Sequence, residues 1–533
     1  CGRYGRGVVK EKRYMKRFFA LILLTAMCLT TIAGCGSPVE KEPAIEVDEI
    51  MTGDVIVPDG NVRLDVSDYS SGKTEGYGCQ VDTHIFKESY GNFYTDADLK
   101  EWLARIDDMN LQSIRTQIFP EWYERGNDNS DYNTFDYNSP NVDFNSIEMQ
   151  QLYKLLDICE ERNIKVDLSF YGCNGFFESQ DGLIKGSWLA NSYKKNWITA
   201  PKLKDVNGNP FAGYEEYAES VSACLNYLLN VKKYTCLYEF SIYPEPNGSF
   251  FNENGSCVDA EYVKFYKVVY NRLLKDDIVG KIKCTGPGDC ANDIDRYKAY
   301  INDLRGVYDK NSSSVYMFNN DNSNEDMYNY ALQNVTACKE VNNTWGVCEC
   351  GTNRFVDPAN QEDTDTYERA IFLARMLINY TNAGCTNIKY WALNDVNYGG
   401  YIMRLGLWKT ISEKDKAQAR PQFYSWSLIT KYTDFGSEMY SGTSSDADIC
   451  ITAYRLPDGK WTYLIANNGT QLKKVSIVSR HSTSQGQMNV YELSGSTMPS
   501  TNRTITSSRK VTMADGVMNI TLRSKSFTVI SGK

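Results

Sequence analysis

Short apolar runs alternate with helical patterns between about residues 76 and 400. The apolar runs predict buried strands at residues 78–86, 113–119, 165–171, 237–243, 281–285, 315–318, 346–349 and 387–393. Apolar residues that recur with helical period predict helices at 96–109, 146–162, 214–227, 262–274 and 367–380. Strands that alternate with helices form parallel sheets, and eight such strands predict an α/β chain folded as a (β/α)8 TIM barrel.

The pattern changes after about residue 397. Residues 437–533 are rich in Thr, Ser, Val and Tyr, and apolar and polar positions alternate at 461–466, 475–478 and 527–530. Turn sequences such as Pro457-Asp458-Gly459 separate these stretches. Alternation of this kind predicts a small C-terminal antiparallel β-sandwich. We therefore predict a barrel at 61–425 and a sandwich at 426–533.

The first residues are typical of a bacterial lipoprotein signal. Lys16 and Arg17 precede an apolar run at 18–28, and Ala33-Gly34-Cys35 follows it. The pattern predicts a signal segment with an upstream extension at 1–35, lipidation of Cys35, and a tether at 36–60. A single-pass anchor is the alternative, but the run is shorter than the ~20 residues that span a bilayer. We expect an exported, bacterial cell-surface lipoprotein that touches the membrane only through its lipid.

Composition narrows the classes of partner. The net charge of −10 argues against nucleic acid. The 38 tyrosines and 9 tryptophans suit stacking on sugar rings, although aromatic side chains also fill cores. The two histidines, His84 and His481, lie far apart and the 16 cysteines form no CxxC pair, so we expect no metal site and no cofactor. We interpret most of the cysteines as small buried hydrophobic residues.

Two glutamates each end an apolar run. Glu245 stands between two prolines after the fourth predicted strand, and Glu349 precedes Cys350 and Gly351 at the end of the seventh. Residues at the C-terminal ends of barrel strands face the active-site cleft, so both carboxylates are expected to face it. A pair of carboxylates is the requirement for cleaving a glycosidic bond, and their separation decides between retention at ~5–5.5 Å and inversion at ~6.5–9.5 Å.

The layout resembles that of glycoside hydrolase clan A, whose members are retaining (β/α)8 enzymes. In that clan the acid/base Glu ends strand four, usually as Asn-Glu-Pro, and the nucleophile Glu ends strand seven. The resemblance covers residues 76–400, and the trailing sandwich is similar to that of xylosidase- and glucanase-type families. It implies a retaining β-glycoside hydrolase acting on a β-linked poly- or oligosaccharide by double displacement, with Glu245 as acid/base and Glu349 as nucleophile.

One position departs from the clan pattern. Pro244 stands where the clan usually has an Asn that hydrogen-bonds the sugar 2-hydroxyl, and proline cannot supply that bond. Asn247 or Asn174 could take its place, or the subsite is unusual, or the enzyme is slow. The departure bears on sugar specificity more than on the reaction.

The resemblance also implies supporting residues. Arg115 matches the arginine that hydrogen-bonds the nucleophile and keeps it ionised; a rim salt bridge is the alternative. Tyr316 and Asn319 lie near strand six, where the clan often presents a Tyr to the nucleophile. Trp391 matches the platform on which the cleaved sugar stacks, and the alternative is a core Trp.

Two further candidates rest on position alone. His84 ends the first predicted strand and could hydrogen-bond the sugar, or it could be a structural histidine. Trp122 and its neighbour Tyr123 follow the second strand and could line further subsites.

Two other functions compete with the hydrolase. The first is a surface glycan-binding lipoprotein with a degenerate barrel site, which Pro244 favours. The second is an unrelated barrel enzyme acting on phosphorylated metabolites. No Gly-rich phosphate loop follows the seventh or eighth predicted strand, which argues against the second.

Overall fold

The computed structural model describes residues 50–533 apart from 52–54, 87–93, 125, 127, 171–213, 247–258, 290–292, 352–364, 398–401, 410–417, 482–485, 496–498 and 500. The predicted signal segment with Cys35, most of the tether, Asn174 and Asn247 lie outside the described residues. No helix of the part described is long and apolar enough to cross a membrane.

Eight parallel strands close into a barrel. Two short strands, β1 (Val62–Val66) and β2 (Gly72–Lys73), come before it. The barrel strands are β3 (Tyr77–Gln80), β4 (Ser113–Ile118), β5 (Lys165–Phe170), β6 (Leu237–Ile242), β7 (Lys283–Asp289), β8 (Lys310–Val315), β9 (Trp345–Cys350) and β10 (Ile388–Tyr390). They pair in chain order, and β10 pairs with β3 to close the ring. The predicted (β/α)8 barrel is confirmed.

An α-helix follows each barrel strand. The helices are α1 (Asp96–Asp108), α2 (Ile147–Arg162), α3 (Tyr214–Asn226), α4 (Asp259–Lys275), α5 (Ile294–Asp303), α6 (Asn324–Glu340), α7 (Tyr367–Ala383) and α8 (Pro421–Tyr432). Local sequence sets several of their ends. Thr95 and Asp98 form a capping box at the start of α1, and Asn163 ends α2 in the left-handed conformation at φ 53°. Helices α5, α6 and α8 had no counterpart among the predicted helices.

The sixth barrel strand was predicted in the wrong place. The apolar run at 315–318 suggested it, but β8 starts at Lys310 and ends at Val315. Its side chains are buried although most are polar, because the barrel interior here is charged. Lys389 Nζ lies 3.1 Å from Asp167 and 3.0 Å from Glu239, and Lys310 also contacts Glu239. A hydrophobic pattern cannot reveal a strand that packs into such a network.

A second sheet is formed by the strands of the C-terminal region together with β1 and β2. The C-terminal strands are β13 (Glu438–Ser444), β14 (Ile449–Arg455), β15 (Trp461–Asn467), β16 (Lys473–Val478), β17 (Gln487–Ser494), β18 (Arg509–Thr512), β19 (Val517–Leu522) and β20 (Ser526–Ser531), and a separate hairpin joins β11 (Val396–Asn397) to β12 (Ile402–Met403). The order is β18-β17-β20-β15-β14-β13-β1-β16-β19, mostly antiparallel, which fits the predicted C-terminal sandwich.

The predicted domain boundaries need two corrections. Strand β1 belongs to the second sheet rather than to the barrel, since it pairs antiparallel with β13 and parallel with β16. Its residue Leu64 is fully buried in the sandwich core. Helix α8 runs through the predicted boundary at 425 and completes the eighth βα unit. Strand β1 pairs with strands that lie several hundred residues later in the chain. Such a pairing leaves no local trace in the sequence, so the hydrophobic pattern could not reveal it.

The cysteines of the described chain behave as predicted. All ten of them are buried and none is in a disulfide. Nine of them belong to the larger hydrophobic core cluster, where a thiol packs as a small hydrophobic group.

Candidate active site

The centre of the candidate site is an ion pair between two barrel strands. Arg115 on β4 donates from Nη1 to Oε2 of Glu349 on β9 over 2.7 Å. The guanidinium side chain is fully buried and Glu349 is 8 % exposed. Arg115 also donates to Ser169 Oγ at 2.9 Å and to Gln80 Oε1 at 3.2 Å. These bonds fix the guanidinium in the position from which it meets the carboxylate.

Tyr316 holds the other oxygen of the same carboxylate. It follows β8 directly, and its hydroxyl donates to Glu349 Oε1 over 2.5 Å. The ring lies against Gly351, where an added Cβ would come within 2.7 Å of Tyr316 Cε1, so only glycine fits there. Burial and the charge of Glu349 raise the pKa of the Tyr316 hydroxyl well above its ordinary value, which keeps it a donor.

Glu245 follows β6 on a backbone of unusual conformation. Its φ is 58° and that of Tyr243 is 50°, both in the left-handed region that non-glycine residues rarely adopt. A Cβ added to Gly288 on β7 would lie 3.3 Å from Pro244 Cβ, 3.6 Å from the Glu245 nitrogen and 3.4 Å from Cys348 Sγ. The chain segments that carry Glu245 and Glu349 therefore meet at this glycine.

The two carboxyl groups have different environments. Burial is the largest influence on Glu245 and the nearby charge of Glu349 the next, and together they raise the pKa of Glu245 to about 8. Arg115 and a hydrogen bond with Ser314 oppose that rise. Glu349, in contrast, has an ion pair with Arg115 and a hydrogen bond from Tyr316. The arrangement favours a proton on Glu245, beside a Glu349 carboxylate that is paired with a guanidinium.

Trp391 and Asn319, two further predicted site residues, lie after different barrel strands. Trp391 directly follows β10 and is 5 % exposed, its amide donates to the Cys350 carbonyl, and its peptide bond to Ala392 is cis. Asn319 lies in a turn after β8, where its side-chain oxygen accepts from the Asp321 amide at 2.9 Å. It is not brought to Glu349 by any contact in the part of the chain described.

Trp122 and its neighbour Tyr123 are packed inside the protein rather than on an open wall. Trp122 is 1 % exposed and lies 5.8 Å from the Phe119 ring, and Tyr123 stacks on Phe144 at 5.2 Å. A role for Trp122 in lining a further subsite stays a prediction. His84 belongs to a 3₁₀-helix, Thr83–Phe86, but its side chain lies outside the described ones, as does Asn247.

Sequence patterns did not identify three residues of the site. Gln80 and Ser169 position Arg115, and Ser314 hydrogen-bonds Glu245. All three are uncharged polar residues on strands, with no spacing that distinguishes them. Only their inward direction on β3, β5 and β8 could have identified them, and that depends on the register of the closed barrel.

Comparison with known proteins gives structural relatives. No protein-family model matches the chain, and no curated protein matches it. The family 30 subfamily 8 xylanase Xyn30A from Clostridium acetobutylicum aligns at 14 % identity and TM-score 0.57, over 89 % of this chain and 99 % of that one. An endo-β1,6-glucanase aligns at 13 % identity and TM-score 0.60, over 91 % of this chain and 95 % of that one. AbfB, a family 51 α-L-arabinofuranosidase from Bifidobacterium longum, aligns at 12 % identity and TM-score 0.59, over 89 % of this chain and 100 % of that one.

These alignments span the barrel and the sandwich together, because they cover nine-tenths of this chain and almost all of each relative. Identity of 14 % or less establishes a shared fold and leaves the individual family open. The chain has the fold of glycoside hydrolases such as those of families 30 and 51, as its sequence resemblance implied.

Proposed function

We propose that this protein is a retaining β-glycoside hydrolase in which Glu349 is the nucleophile and Glu245 the general acid/base. One observation carries the proposal: two glutamates at the ends of opposed barrel strands have opposite electrostatic environments. Glu349 accepts from Arg115 and Tyr316, whereas Glu245 is partly exposed and has a pKa raised by desolvation and by the charge of Glu349. Glycoside hydrolysis needs such a pair, one carboxylate to attack and one carboxylic acid to protonate.

In the first step the Glu349 carboxylate attacks the anomeric carbon. The bond to the leaving oxygen breaks, and that oxygen takes the proton of Glu245 as it departs. Arg115 and Tyr316 orient the attacking carboxylate, since they fix one oxygen each. The products are a glycosyl ester on Glu349, an ionised Glu245 and a free alcohol on the departing sugar.

The second step restores the enzyme. Glu245, now a carboxylate, takes a proton from water, whose oxygen attacks the anomeric carbon and displaces Glu349. Loss of the ester returns the charge to Glu349, and two inversions give net retention. The charge of Glu349 helps Glu245 to recover its proton, because like charges in one site raise the pKa of one partner.

The experiment is turnover of a glycan panel that includes xylan, β1,6-glucan and arabinofuranosides, the classes named for the structural relatives. Wild type is compared with Glu245→Gln, Glu349→Gln and the exposed control Glu340→Gln. We expect both site variants to lose activity and the control to retain it. A 2-fluoroglycoside should esterify Glu349, and peptide mass mapping locates the label. Unaltered turnover in both site variants would end the assignment.

A second candidate function is capture of glycans without cleavage. The buried Pro244 favours it, because it occupies the position of the asparagine that the resemblance leads one to expect. Calorimetry distinguishes the two functions. Binding of a panel glycan with no released product over days, and no label on Glu349, supports the binding protein.

We also propose that the protein is exported and lipidated at Cys35. Support comes from the basic start, the apolar run at 18–28 and the small residues before Cys35. Metabolic labelling with a palmitate analogue, followed by membrane fractionation, tests this. Cys35→Ser should lose the label and leave the membrane fraction, and an unchanged distribution would contradict the proposal.

A further inference from the structure

A cluster of buried carboxylates lies outside the candidate active site. Glu124 and Asp128 come from the loop between β4 and α2, and Glu216 from the first turn of α3. One carboxylate oxygen of each lies within 4.8 Å of the others, and all three residues are buried. Ligand oxygens bind Ca²⁺ at about 2.3–2.6 Å, so atoms on opposite sides of one ion are about this far apart.

A fourth carboxylate lies beside the cluster. Glu219 is one helical turn after Glu216, on the same face of α3, and it interacts electrostatically with Asp128 and Glu216. It is 0 % exposed, and neither of its oxygens accepts a hydrogen bond. Arg272 pairs with Glu219 at 3.9 Å and also donates to Asp276.

Asp128 also carries a buried carboxylate oxygen that accepts no hydrogen bond. It is 9 % exposed, and its Oδ2 accepts the amides of Asp136 and Asn129. Its Oδ1 is buried and has no hydrogen-bond partner. An oxygen of this kind loses its hydration on folding and gains nothing in return unless a ligand compensates for the loss.

Two described neighbours contact the cluster and its surroundings: Arg272 pairs with Glu219, and Ser220 hydrogen-bonds Glu124. Carboxylates buried this close together repel one another and have lost their hydration. A bound cation removes that penalty, since it neutralises several carboxylates at once.

We propose that Glu124, Asp128, Glu216 and Glu219 bind a divalent cation of the calcium class. An all-oxygen set of carboxylates selects hard cations, and a buried site with several carboxylates suits Ca²⁺ better than Mg²⁺, which keeps more of its water. The ion links the loop that follows β4 to the start of α3. The sequence did not indicate this site, because its ligands are carboxylates from two distant segments rather than spaced Cys and His.

The test uses the whole protein and measures binding directly. After dialysis against a chelator and then chelator-free buffer, Tb³⁺ is added and its emission is followed with excitation of the aromatic residues. Displacement by Ca²⁺ and by Mg²⁺ is then titrated. We expect sensitised emission that Ca²⁺ displaces at lower concentration than Mg²⁺, and a Tm that rises with Ca²⁺ and returns with chelator.

Two variants on α3 make the test specific. Glu216→Gln should weaken Ca²⁺ binding by roughly ten-fold or more, because a charged ligand is lost. Glu215→Gln removes the same charge from the exposed neighbouring position and should bind as wild type does. If Glu216→Gln does not fold, the wild-type titration still decides. No sensitised emission and no Tm response to Ca²⁺ in the wild type, or equal losses in both variants, would overturn the proposal.

Discussion

Arg115 and Glu349 form a buried ion pair at the C-terminal end of the barrel, with Arg115 Nη1 2.7 Å from Glu349 Oε2. Two further bonds, to Gln80 and Ser169, hold the same guanidinium. Arginine can make these bonds together because its donors have a fixed planar arrangement, whereas lysine offers a single compact charge. The orientation of the proposed nucleophile therefore depends on the shape of the Arg115 side chain as well as on its charge.

Arg115→Lys should accordingly lower kcat/KM on the substrate found in the panel by about 10–100-fold. A hydrogen bond to a charged group contributes ~1.5–3 kcal/mol, which corresponds to that range in rate. The control is Arg480→Lys, which alters a partly exposed pair with Asp68 in the sandwich, far from the candidate site. Steady-state kinetics on both variants provides the measurement. Equal activity of Arg115→Lys and wild type would show that the guanidinium geometry has no part in the reaction.

Tyr316→Phe isolates the second contact to Glu349. Removing the hydroxyl leaves Oε1 without its donor, and we expect kcat to fall by about ten-fold or more, in line with the loss of one charge-assisted bond. The matched control is Tyr234→Phe, which removes a tyrosine-to-carboxylate bond of 2.7 Å to Asp157, on α2. A similar fall in both variants would point to a general loss of stability, and thermal denaturation curves separate the two cases.

Much of the fold follows from local pattern. The apolar runs at β6 and β9 predicted their strands, and the ends of those strands predicted which glutamates face the cleft. Strand β8 was misplaced because Lys310 and Ser314 point into a charged interior, so burial there does not mean apolar sequence. Strand β1 was assigned to the wrong domain because its partners are hundreds of residues away.

Local sequence pattern also predicted only part of the candidate site. Arg115 and Tyr316 were found because a known arrangement of residues suggested where to look, and both contact Glu349. Trp122 was proposed for the cleft because it follows a strand, but its indole is packed in the core. Position after a strand predicts the end of the barrel on which a residue lies. The direction of its side chain depends on tertiary packing, which no local pattern contains.

The stability of the protein should depend on the charged interior of the barrel. Lys389 is buried between Asp167 and Glu239, so Lys389→Met leaves two buried carboxylates with less compensation. Breaking such a pair costs roughly 3–5 kcal/mol. Lys460→Met is the control, since its pair with Asp458 is exposed and contributes at most about 1 kcal/mol. Denaturant unfolding measures both, and similar losses in the two variants would contradict a structural role for the network.

The assignment of β1 to the sandwich can be tested with Leu64→Ala. Leu64 is fully buried among sandwich residues, and removing its side chain should lower the free energy of unfolding by about 2–5 kcal/mol. Ile56→Ala lies close by in sequence, but Ile56 is 88 % exposed and the change should have almost no effect. Urea denaturation of both variants gives the comparison. If Leu64→Ala is as stable as wild type, β1 is not part of the sandwich core.

The raised pKa of Glu245 predicts how stability depends on pH. Burial and the charge of Glu349 favour the protonated form in the folded protein, so folded Glu245 keeps a proton that the unfolded chain loses above the ordinary carboxyl range. Its contribution to the free energy of unfolding is complete at low pH and is lost as pH rises from that range through the folded pKa. Glutamine resembles the protonated acid, so Glu245→Gln should gain stability relative to wild type as pH rises.

Activity should fall at the upper end of that interval, where folded Glu245 loses its proton, because the first step needs that proton. We expect wild-type kcat/KM to decline as pH rises through the pKa of Glu245, and any residual activity of Glu245→Gln on an activated aryl glycoside to lack that decline. Such a leaving group departs without an acid, so the first step stays measurable in the variant. Rate profiles and Tm values from pH 5 to 9 provide both readouts. An unchanged alkaline limb in Glu245→Gln would assign the titrating acid to another residue.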